Sequence, residues 1–250
     1  MHNAKCKSFG LSSNMLKIIA AISMSDDHMG IMLIPRVAFL HIVGRLAFPI
    51  FAFMIAEGCA HTRNKLKYFL SVFLLGIACQ AVYAFSGGTN YFGILLTFSL
   101  SIIMIYALQN MKDKLFSQSS KLPAKILSAG LLIICVVIVF WLNEKAYFDY
   151  GFLGCMVPVF ASIPRRPKNG GENWDNIDSR ETRLLTFSFG LIILCGILGE
   201  VQMHSLLALP LLLLYSGKRG ALNLKYFFYA FFPAHLVFLF LISVILKFLN

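Results

Sequence analysis

The segment VAFLHIVGRLAFPIFAFMIAEGCA, residues 37–60, decides the fold class of this chain. It is apolar almost throughout, and its charged side chains are Arg45 and Glu57. A bilayer core about 30 Å thick is crossed by a helix of about 20 such residues. The segment is long enough to span a membrane, so we expect an integral membrane protein built from helices.

The rest of the chain repeats this pattern. Of the 250 residues, 58% are hydrophobic and 13% are charged, which is more apolar than an ordinary soluble domain. The segments 149–163, 184–199 and 203–216 are short for a full span. We predict an all-α polytopic bundle, a single domain over residues 1–250, with about nine transmembrane helices at 15–34, 37–60, 66–85, 91–110, 123–142, 149–163, 184–199, 203–216 and 226–248.

The basic side chains predict which side of the membrane each loop faces. If all nine segments cross, eighteen Lys and Arg residues fall on the side of the N-terminus, against Arg36, Lys145 and Lys247 on the other. Loops rich in Lys and Arg stay in the cytoplasm, so we expect a cytoplasmic N-terminus. The polar segment 164–183 is rich in Pro, Gly, Asn and charge, and is predicted to be a mobile cytoplasmic loop.

The net charge of +11 does not indicate a nucleic-acid partner. The basic residues stand in short clusters between apolar runs, without the continuous basic surface that nucleic-acid binding needs. The six cysteines form no CxxC pair, and the histidines show no metal-binding spacing. The predicted partner is therefore the lipid bilayer, and no metal is expected.

Ionisable side chains inside the predicted helices mark a candidate site. Each such group costs at least about 2.5 kcal/mol at the centre of a membrane helix, so a chain that keeps several usually uses them. The first predicted helix holds Asp26, Asp27 and His28, and the second holds His41 and Arg45, four residues apart. At about 1.5 Å per residue, His28 and Arg45 lie at similar depths. An acid, a base and a guanidinium can therefore meet there.

Two interpretations of this cluster stay open. In the first, Arg45 neutralises Asp26 or Asp27 and joins two helices, which is a purely architectural role. In the second, His28 transfers protons, as histidine often does in enzymes. Asp27 cannot orient His28, because neighbouring side chains diverge on a helix. The partner of His28 must come from another helix, and His235 in the last predicted span is a candidate.

Several segments resemble the TraX family, bacterial membrane proteins named after the conjugation protein that acetylates the N-terminus of F-pilin. These segments are LKIIAAISMSDDHMG (16–30), GRLAFPIFAFMIAEGCAHTRN (44–64), DYGFLG (149–154), YSGKRG (215–220) and KYFFYAFFPAHL (225–236). The family is also similar to a wider superfamily of multi-helix acyltransferases that use acyl-CoA from the cytoplasm.

The resemblance implies an acetyltransferase of the bacterial inner membrane that uses acetyl-CoA. Its acceptor would be an amine or hydroxyl, the pilin N-terminus in the family or another envelope acceptor. The residues expected to form the catalytic site are His28, Asp27, Arg45 and His235. Those expected to receive the CoA phosphates, or else to act only as topology signals, are Arg63, Lys67, Lys218 and Arg219. Those expected to give structural support are Glu57, His61 and Asp149.

Two other functions fit the sequence. A proton- or ion-coupled transporter would use Asp27, His28 and Arg45 as a relay, although the chain lacks the internal repeats typical of many transporters. A pilus or envelope assembly protein would need no chemistry at all. The sequence specifies neither the acceptor nor the oligomeric state.

Overall fold

The computed structural model describes residues 10–35, 37–85 and 91–249, with Tyr91 described through its backbone alone. A 3₁₀ turn at His204–Leu207 joins the short helices Glu200–Met203 and Ala208–Leu213. In this part of the chain the elements are α1 (Ser13–Met32), α2 (Ala38–Gly44), α3 (Ala47–His61), α4 (Lys65–Phe85), β1 (Tyr91–Phe92), α5 (Ile94–Leu115), α6 (Leu122–Lys145), β2 (Tyr147–Phe148), α7 (Gly151–Ser162), α8 (Asn173–Ile177), α9 (Arg180–Leu198), α10 (Glu200–Met203), α11 (Ala208–Leu213) and α12 (Lys225–Leu249). The predicted helical membrane fold is confirmed in its class.

The start of α1 is tied to a distant segment of the chain. Ser12 caps the helix, because its side-chain oxygen accepts a hydrogen bond from the backbone N–H of Met15 in the first turn. The N–H of Ser13 donates to the carbonyl of Lys218 at 2.8 Å. These bonds satisfy N–H groups that have no partner within the helix. They hold the segment 215–220 against the beginning of α1.

The predicted helix 37–60 is interrupted at Arg45 and Leu46, and forms the two helices α2 and α3. Pro49 has no N–H, so it cannot donate to the carbonyl of Arg45 four residues earlier. The hydroxyl of Ser205, in the 3₁₀ turn, donates to that carbonyl at 3.1 Å. A backbone carbonyl inside a membrane protein needs such a partner. The interruption therefore follows from the sequence and is compensated by packing.

A short parallel strand pair, which the sequence did not predict, lies at one end of the bundle. Tyr91 pairs with Tyr147 and Phe92 with Phe148, and the backbone N–H of Asp149 continues the pairing by donating to the carbonyl of Phe92 at 2.9 Å. The pair fixes the segment that begins at Asp149 beside the start of α5.

The core of the bundle lies along α3 and α5. In each span that contains one of these helices, 56% of the residues in its apolar stretch are buried inside the bundle, against 11% in α6. The helix α3 packs against α1, α5 and α7, and α5 also packs against α4 and α6. The helix α6 lies at the edge and exposes many Leu, Ile and Val side chains, as a lipid-facing helix does.

The prediction of nine transmembrane helices is wrong in its count. The helix α1 is long enough but carries Lys17, Asp26 and Asp27, and 203–216 forms the broken stretch from α10 to α11. The helix α7 has 12 residues, so it covers only about 18 Å of a core about 30 Å thick. In the described chain, six stretches are long and apolar enough to cross a membrane: Ala38–His61, Lys65–Phe85, Ile94–Leu115, Leu122–Lys145, Arg180–Leu198 and Lys225–Leu249.

The helix ends meet in two groups at opposite ends of the bundle. At one end, which we call the basic end, Leu11 pairs with Tyr215 and Glu57 pairs with Arg165. At the other end β1 pairs with β2. The basic end is the one predicted to face the cytoplasm, and this orientation stays a prediction. Three of the basic residues on which this prediction rests lie outside the described part of the chain: Lys5, Lys7 and Arg36.

The segment 164–183 contains α8 and the first turn of α9. Arg165 pairs with Glu57, and its carbonyl accepts a hydrogen bond from the side chain of Lys112. The backbone N–H of Lys168 donates to the carboxylate of Asp113 at 2.8 Å. These contacts tie the segment to α3 and α5, while its mobility stays a prediction.

Candidate functional site

Two histidine rings from opposite ends of the chain meet inside the bundle. Nδ1 of His28, in α1, lies 2.9 Å from Nε2 of His235, in α12, and the rings are stacked. Nε2 of His28 lies 2.9 Å from the hydroxyl of Tyr83, in α4. Nδ1 of His235 lies 2.9 Å from the carbonyl oxygen of Phe231, one turn earlier. Both nitrogens of each ring therefore have a partner.

These contacts determine where the protons lie when both rings are neutral. A carbonyl oxygen only accepts hydrogen bonds, so Nδ1 of His235 carries the hydrogen that it donates to Phe231. Nε2 of His235 is then an acceptor, and Nδ1 of His28 donates to it. Nε2 of His28 keeps its lone pair and accepts from the hydroxyl of Tyr83. The pair thus presents one basic nitrogen, Nε2 of His28.

A second cluster surrounds the carboxylate of Asp27. Its Oδ1 lies 3.2 Å from Nδ1 of His41 and 3.3 Å from Nη2 of Arg45. The sequence left open whether Arg45 pairs with Asp26 or Asp27, and the structure pairs it with Asp27. Gly44 permits the close approach of the helices, because a Cβ at this position would fall 2.7 Å from Cγ of Asp27.

Arg45 also faces a strained tyrosine. Its Nη1 lies 3.4 Å from the hydroxyl of Tyr150 and 3.5 Å from Oε1 of Gln202. Tyr150 has a φ of 60°, which is uncommon for a residue other than glycine and costs backbone energy. Its ring stacks on Phe48 with centroids 4.1 Å apart. Strain of this kind is often found at functional sites, and here it falls on a residue that contacts Arg45.

The residues expected to be catalytic share one cavity. This cavity, which we call the histidine cavity, has a volume of about 360 Å³. It extends to Met32, at the last turn of α1, and therefore toward the end opposite the basic end. Its polar lining consists of Asp27, His28, Arg45, Gln80, Tyr83, Asp149, Tyr150 and His235. The structure thus brings Asp149, expected only as support, into the same cavity.

A second and larger cavity, which we call the basic cavity, lies toward the basic end and has a volume of about 570 Å³. Its inner part is apolar and aromatic, with Phe51, Phe98 and Phe228 in the lining. Its charged and amide side chains come from four segments of the chain: Asn14, Lys17, Glu57, His61, Asn64, Lys67, Arg219 and Lys225. A cavity with a basic mouth and an apolar interior suits a ligand with an anionic head and a long neutral arm.

The four basic residues expected to receive phosphates divide into two groups. Lys67 and Arg219 line the basic cavity. Arg63 and Lys218 are exposed and do not line it. The structure adds Lys17 and Lys225 to the lining, neither of which was singled out from the sequence.

Glu57 and His61, expected as structural support, lie at the basic end. Glu57 is buried, pairs with Arg165 and lies 3.7 Å from Nε of Arg183. His61 is largely exposed, with Nδ1 3.9 Å from Oε2 of Glu57. Burial lowers the pKa of the Arg165 guanidinium from its ordinary value, and the charge of Glu57 opposes this shift. Glu57 and Asp178 together balance two guanidinium groups of the 164–183 segment, since Asp178 lies 2.6 Å from Arg183 and 3.9 Å from Arg165.

Tyr83, Tyr150 and Gln202 are among the polar residues of the site that were not selected from the sequence. Gln202 lies between the short segments predicted at 184–199 and 203–216, and Tyr83 is one of nine tyrosines with no distinguishing pattern. His41 had a signal, its spacing of four residues from Arg45 on one helix face. Among the described residues, no three His, Cys, Asp or Glu side chains are grouped so that they could hold a metal ion.

The family model described as TraX protein matches residues 12–243. The chain belongs to the TraX family. The match runs from the cap of α1 into α12, so the TraX-family region contains both histidines and the linings of both cavities. Together with the six long apolar helices, this membership makes the chain a multi-pass membrane protein.

Two curated proteins are similar to this TraX-family chain. The "Probable fimbrial assembly protein FimC, serogroup H1" of Dichelobacter nodosus is 26% identical over 251 residues, covering 93% of this chain and 96% of that protein. The "Uncharacterized protein RP591" of Rickettsia prowazekii (strain Madrid E) is 25% identical over 155 residues, covering 62% of this chain and 56% of that protein. No solved structure matches the chain.

Proposed function

We propose that this TraX-family chain is a membrane-bound acyltransferase that moves an acetyl group from acetyl-CoA to an amine or hydroxyl acceptor. The observation that carries the proposal is the His28–His235 contact, with Nδ1 of His28 2.9 Å from Nε2 of His235. It leaves one basic imidazole nitrogen in a cavity that adjoins a second cavity with a basic mouth.

His28 is the general base of the proposed reaction. The acceptor nitrogen or oxygen attacks the carbonyl carbon of the thioester while Nε2 of His28 takes its proton. The new C–N or C–O bond forms, the C–S bond breaks, and the proton passes from His28 to the departing sulfur. A positioned base of this kind contributes about 10²–10⁴-fold to a rate. The Tyr83 hydroxyl, 2.9 Å from Nε2, occupies the place that the acceptor N–H or O–H would take.

His235 is a positioning residue in this mechanism. It accepts the Nδ1–H of His28, which holds the His28 ring in the tautomer with a lone pair on Nε2. The carbonyl of Phe231 fixes His235 in turn. When His28 takes the proton and becomes charged, the hydrogen bond to His235 stabilises it.

Arg45 supplies a positive charge to the same cavity. Negative charge develops on the thioester oxygen as the acceptor attacks, and a guanidinium held nearby stabilises it. Asp27 and Tyr150 hold Arg45 in place. His41 contacts the same carboxylate oxygen of Asp27 as Arg45 does. The architectural and chemical interpretations of the cluster are compatible in this arrangement.

The basic cavity is the proposed donor site. Lys67 and Arg219, with Lys17 and Lys225, would bind the phosphates of CoA. The apolar interior would hold the neutral arm that carries the thioester toward His28. Glu57 also lines this cavity, but its charge is matched by Arg165 and Arg183.

Membership of the TraX family and the name of the Dichelobacter nodosus relative support an acceptor that is a protein subunit of a surface fibre. A second candidate function, carried by that name alone, is fibre assembly without acyl transfer. In that case the histidine pair would join α1, α4 and α12 and do nothing else.

One experiment tests the proposal directly. Purified protein in lipid vesicles would be incubated with radiolabelled acetyl-CoA and a synthetic peptide that carries a free N-terminal amine. We expect release of the CoA thiol together with labelling of the peptide, and neither with a peptide whose amine and hydroxyl groups are blocked. Absence of both from the parent protein, at saturating donor and peptide, would reject acyl transfer to this class of acceptor. Solute flux without CoA release would favour a transporter instead.

A further inference from the structure

The two cavities are separated by a thin apolar wall. The histidine cavity and the basic cavity have three lining residues in common, Ile94 and Leu95 at the start of α5 and Phe232 in α12. Leu95 and Phe232 are buried, and the Phe232 ring packs on Phe51 with centroids 5.4 Å apart. None of the three shared side chains carries a polar group.

The helices α4 and α12 both pass this wall. On α4, Leu75 lines the basic cavity and the next residue, Gly76, lines the histidine cavity. On α12, Phe228 lines only the basic cavity, Phe232 lines both, and His235 lines only the histidine cavity. Three residues of helix correspond to a rise of about 4.5 Å. The wall therefore lies about one turn from the histidine pair, on the side of the basic end.

The two cavities extend toward opposite ends of the bundle. The basic cavity includes Ser13 and Arg219 at the basic end, and the histidine cavity includes Met32 and Gly93 at the other. In a multi-pass membrane protein, two such cavities would join into a water path if nothing divided them. A narrow apolar constriction prevents this, because water is unstable in it.

We infer that Phe232, with Ile94 and Leu95, forms an apolar barrier that keeps the solvent of the two cavities apart and through which the arm of the acyl donor must pass. The second half of this inference rests on the proposed function, because it takes the donor to be an acyl-CoA bound in the basic cavity. The first half does not.

Proton leakage through the protein tests the barrier without any catalysis. The parent protein and its variants would be reconstituted in vesicles that contain a pH-sensitive dye, and dissipation of a pH step would be followed. We expect Phe232→Ala to raise the leak several-fold over the parent, and Phe232→Leu to raise it less. Phe228→Ala is the matched control, because Phe228 lies one turn away on the same helix, is equally buried and lines only the basic cavity.

Coenzyme A itself tests the passage of the donor arm. CoA added to the Phe232→Ala vesicles should reduce the leak, because its arm fills the opening. Adenosine 3′,5′-bisphosphate, which has similar phosphates but no arm, should not reduce it. A parent-like leak in both Phe232 variants, with the proteins folded, would overturn the barrier. A raised leak that CoA does not reduce would overturn the donor path alone, and a leak blocked by CoA in a protein that transfers no acetyl would reject only the chemistry proposed above.

Discussion

Nδ1 of His28 lies 2.9 Å from Nε2 of His235, although 207 positions separate the two residues in the chain. The contact joins the first described helix to the last, and it leaves the other nitrogen of His28 facing the hydroxyl of Tyr83. This single relationship fixes the tautomer of His28, with the hydrogen on Nδ1 and a lone pair on Nε2.

Replacement of the base tests its role. His28→Ala should lower the rate of acetyl transfer by about 10²–10⁴-fold, measured as CoA thiol release in the presence of the peptide acceptor. Tyr83→Phe should retain transfer, because the hydrogen bond to His235 still leaves the lone pair on Nε2 of His28. The ¹⁵N chemical shifts of labelled histidine should show hydrogen on Nδ1 of both His28 and His235. Full activity of the His28→Ala variant would reject this mechanism.

Charge replacements at the basic end test the donor site. The double variant Lys67→Gln/Arg219→Gln should bind CoA more weakly than the parent in a titration, and its binding should depend less on salt concentration. The control, Arg63→Gln/Lys218→Gln, removes the same two residue types from exposed positions outside the basic cavity. Equal weakening by both pairs would mean that general electrostatic attraction, and not a built site, explains the binding.

Gly44 offers a test of the contact between α1 and α2. Gly44→Ala should displace the carboxylate of Asp27 and loosen its contacts with His41 and Arg45, destabilising the protein by about 1–3 kcal/mol. Gly130→Ala is the matched control, because a Cβ at Gly130 meets no atom within 4 Å and alanine favours a helix. Thermal unfolding in detergent would compare the two variants. A midpoint for Gly44→Ala equal to that of the control would contradict the close approach.

The buried charge cluster at the basic end predicts a second stability effect. Glu57→Gln removes the buried carboxylate that contacts Arg165 and Arg183, while Asp178 still contacts both guanidinium groups. The loss should cost about 1–3 kcal/mol and expose the 164–183 segment to proteolysis. Asp175→Asn is the control, because its pair with Arg166 is exposed and is worth less than about 1 kcal/mol. Similar proteolysis of both variants would show that Glu57 does not hold the segment.

The orientation in the membrane can be tested with single-cysteine reporters. Cysteines placed at Ser119 and Lys168 should react with an impermeant thiol reagent only after the cytoplasmic side is opened, because both positions lie in the loops richest in Lys and Arg. A cysteine at Lys145 should react from outside. Labelling of the Lys168 position in intact cells would reverse the predicted orientation.

Some features of this protein are determined by local sequence alone. The apolar run around Phe51 specifies a membrane helix, because the favourable free energies of transferring its side chains into lipid add up along the chain. That Arg45 can meet an acid of the first helix was expected from the similar depths of Arg45 and His28. The break at Arg45 was also present in the sequence, as the missing N–H of Pro49, although a continuous helix was predicted.

Other features depend on which helices become neighbours, and local sequence does not specify this. Hydropathy indicates that α4 and α12 belong in a membrane environment, but it does not show that Tyr83 and His235 meet His28 of α1 from two sides. Lys218 and Arg219 are adjacent and chemically alike, yet only Arg219 lines the basic cavity. The sequence by itself determined a helical membrane protein of the TraX family and the residue types of its site. The tertiary structure decided the proton positions of the histidine pair, the lining of each cavity and the wall between them, because these depend on side chains brought together by packing between distant helices.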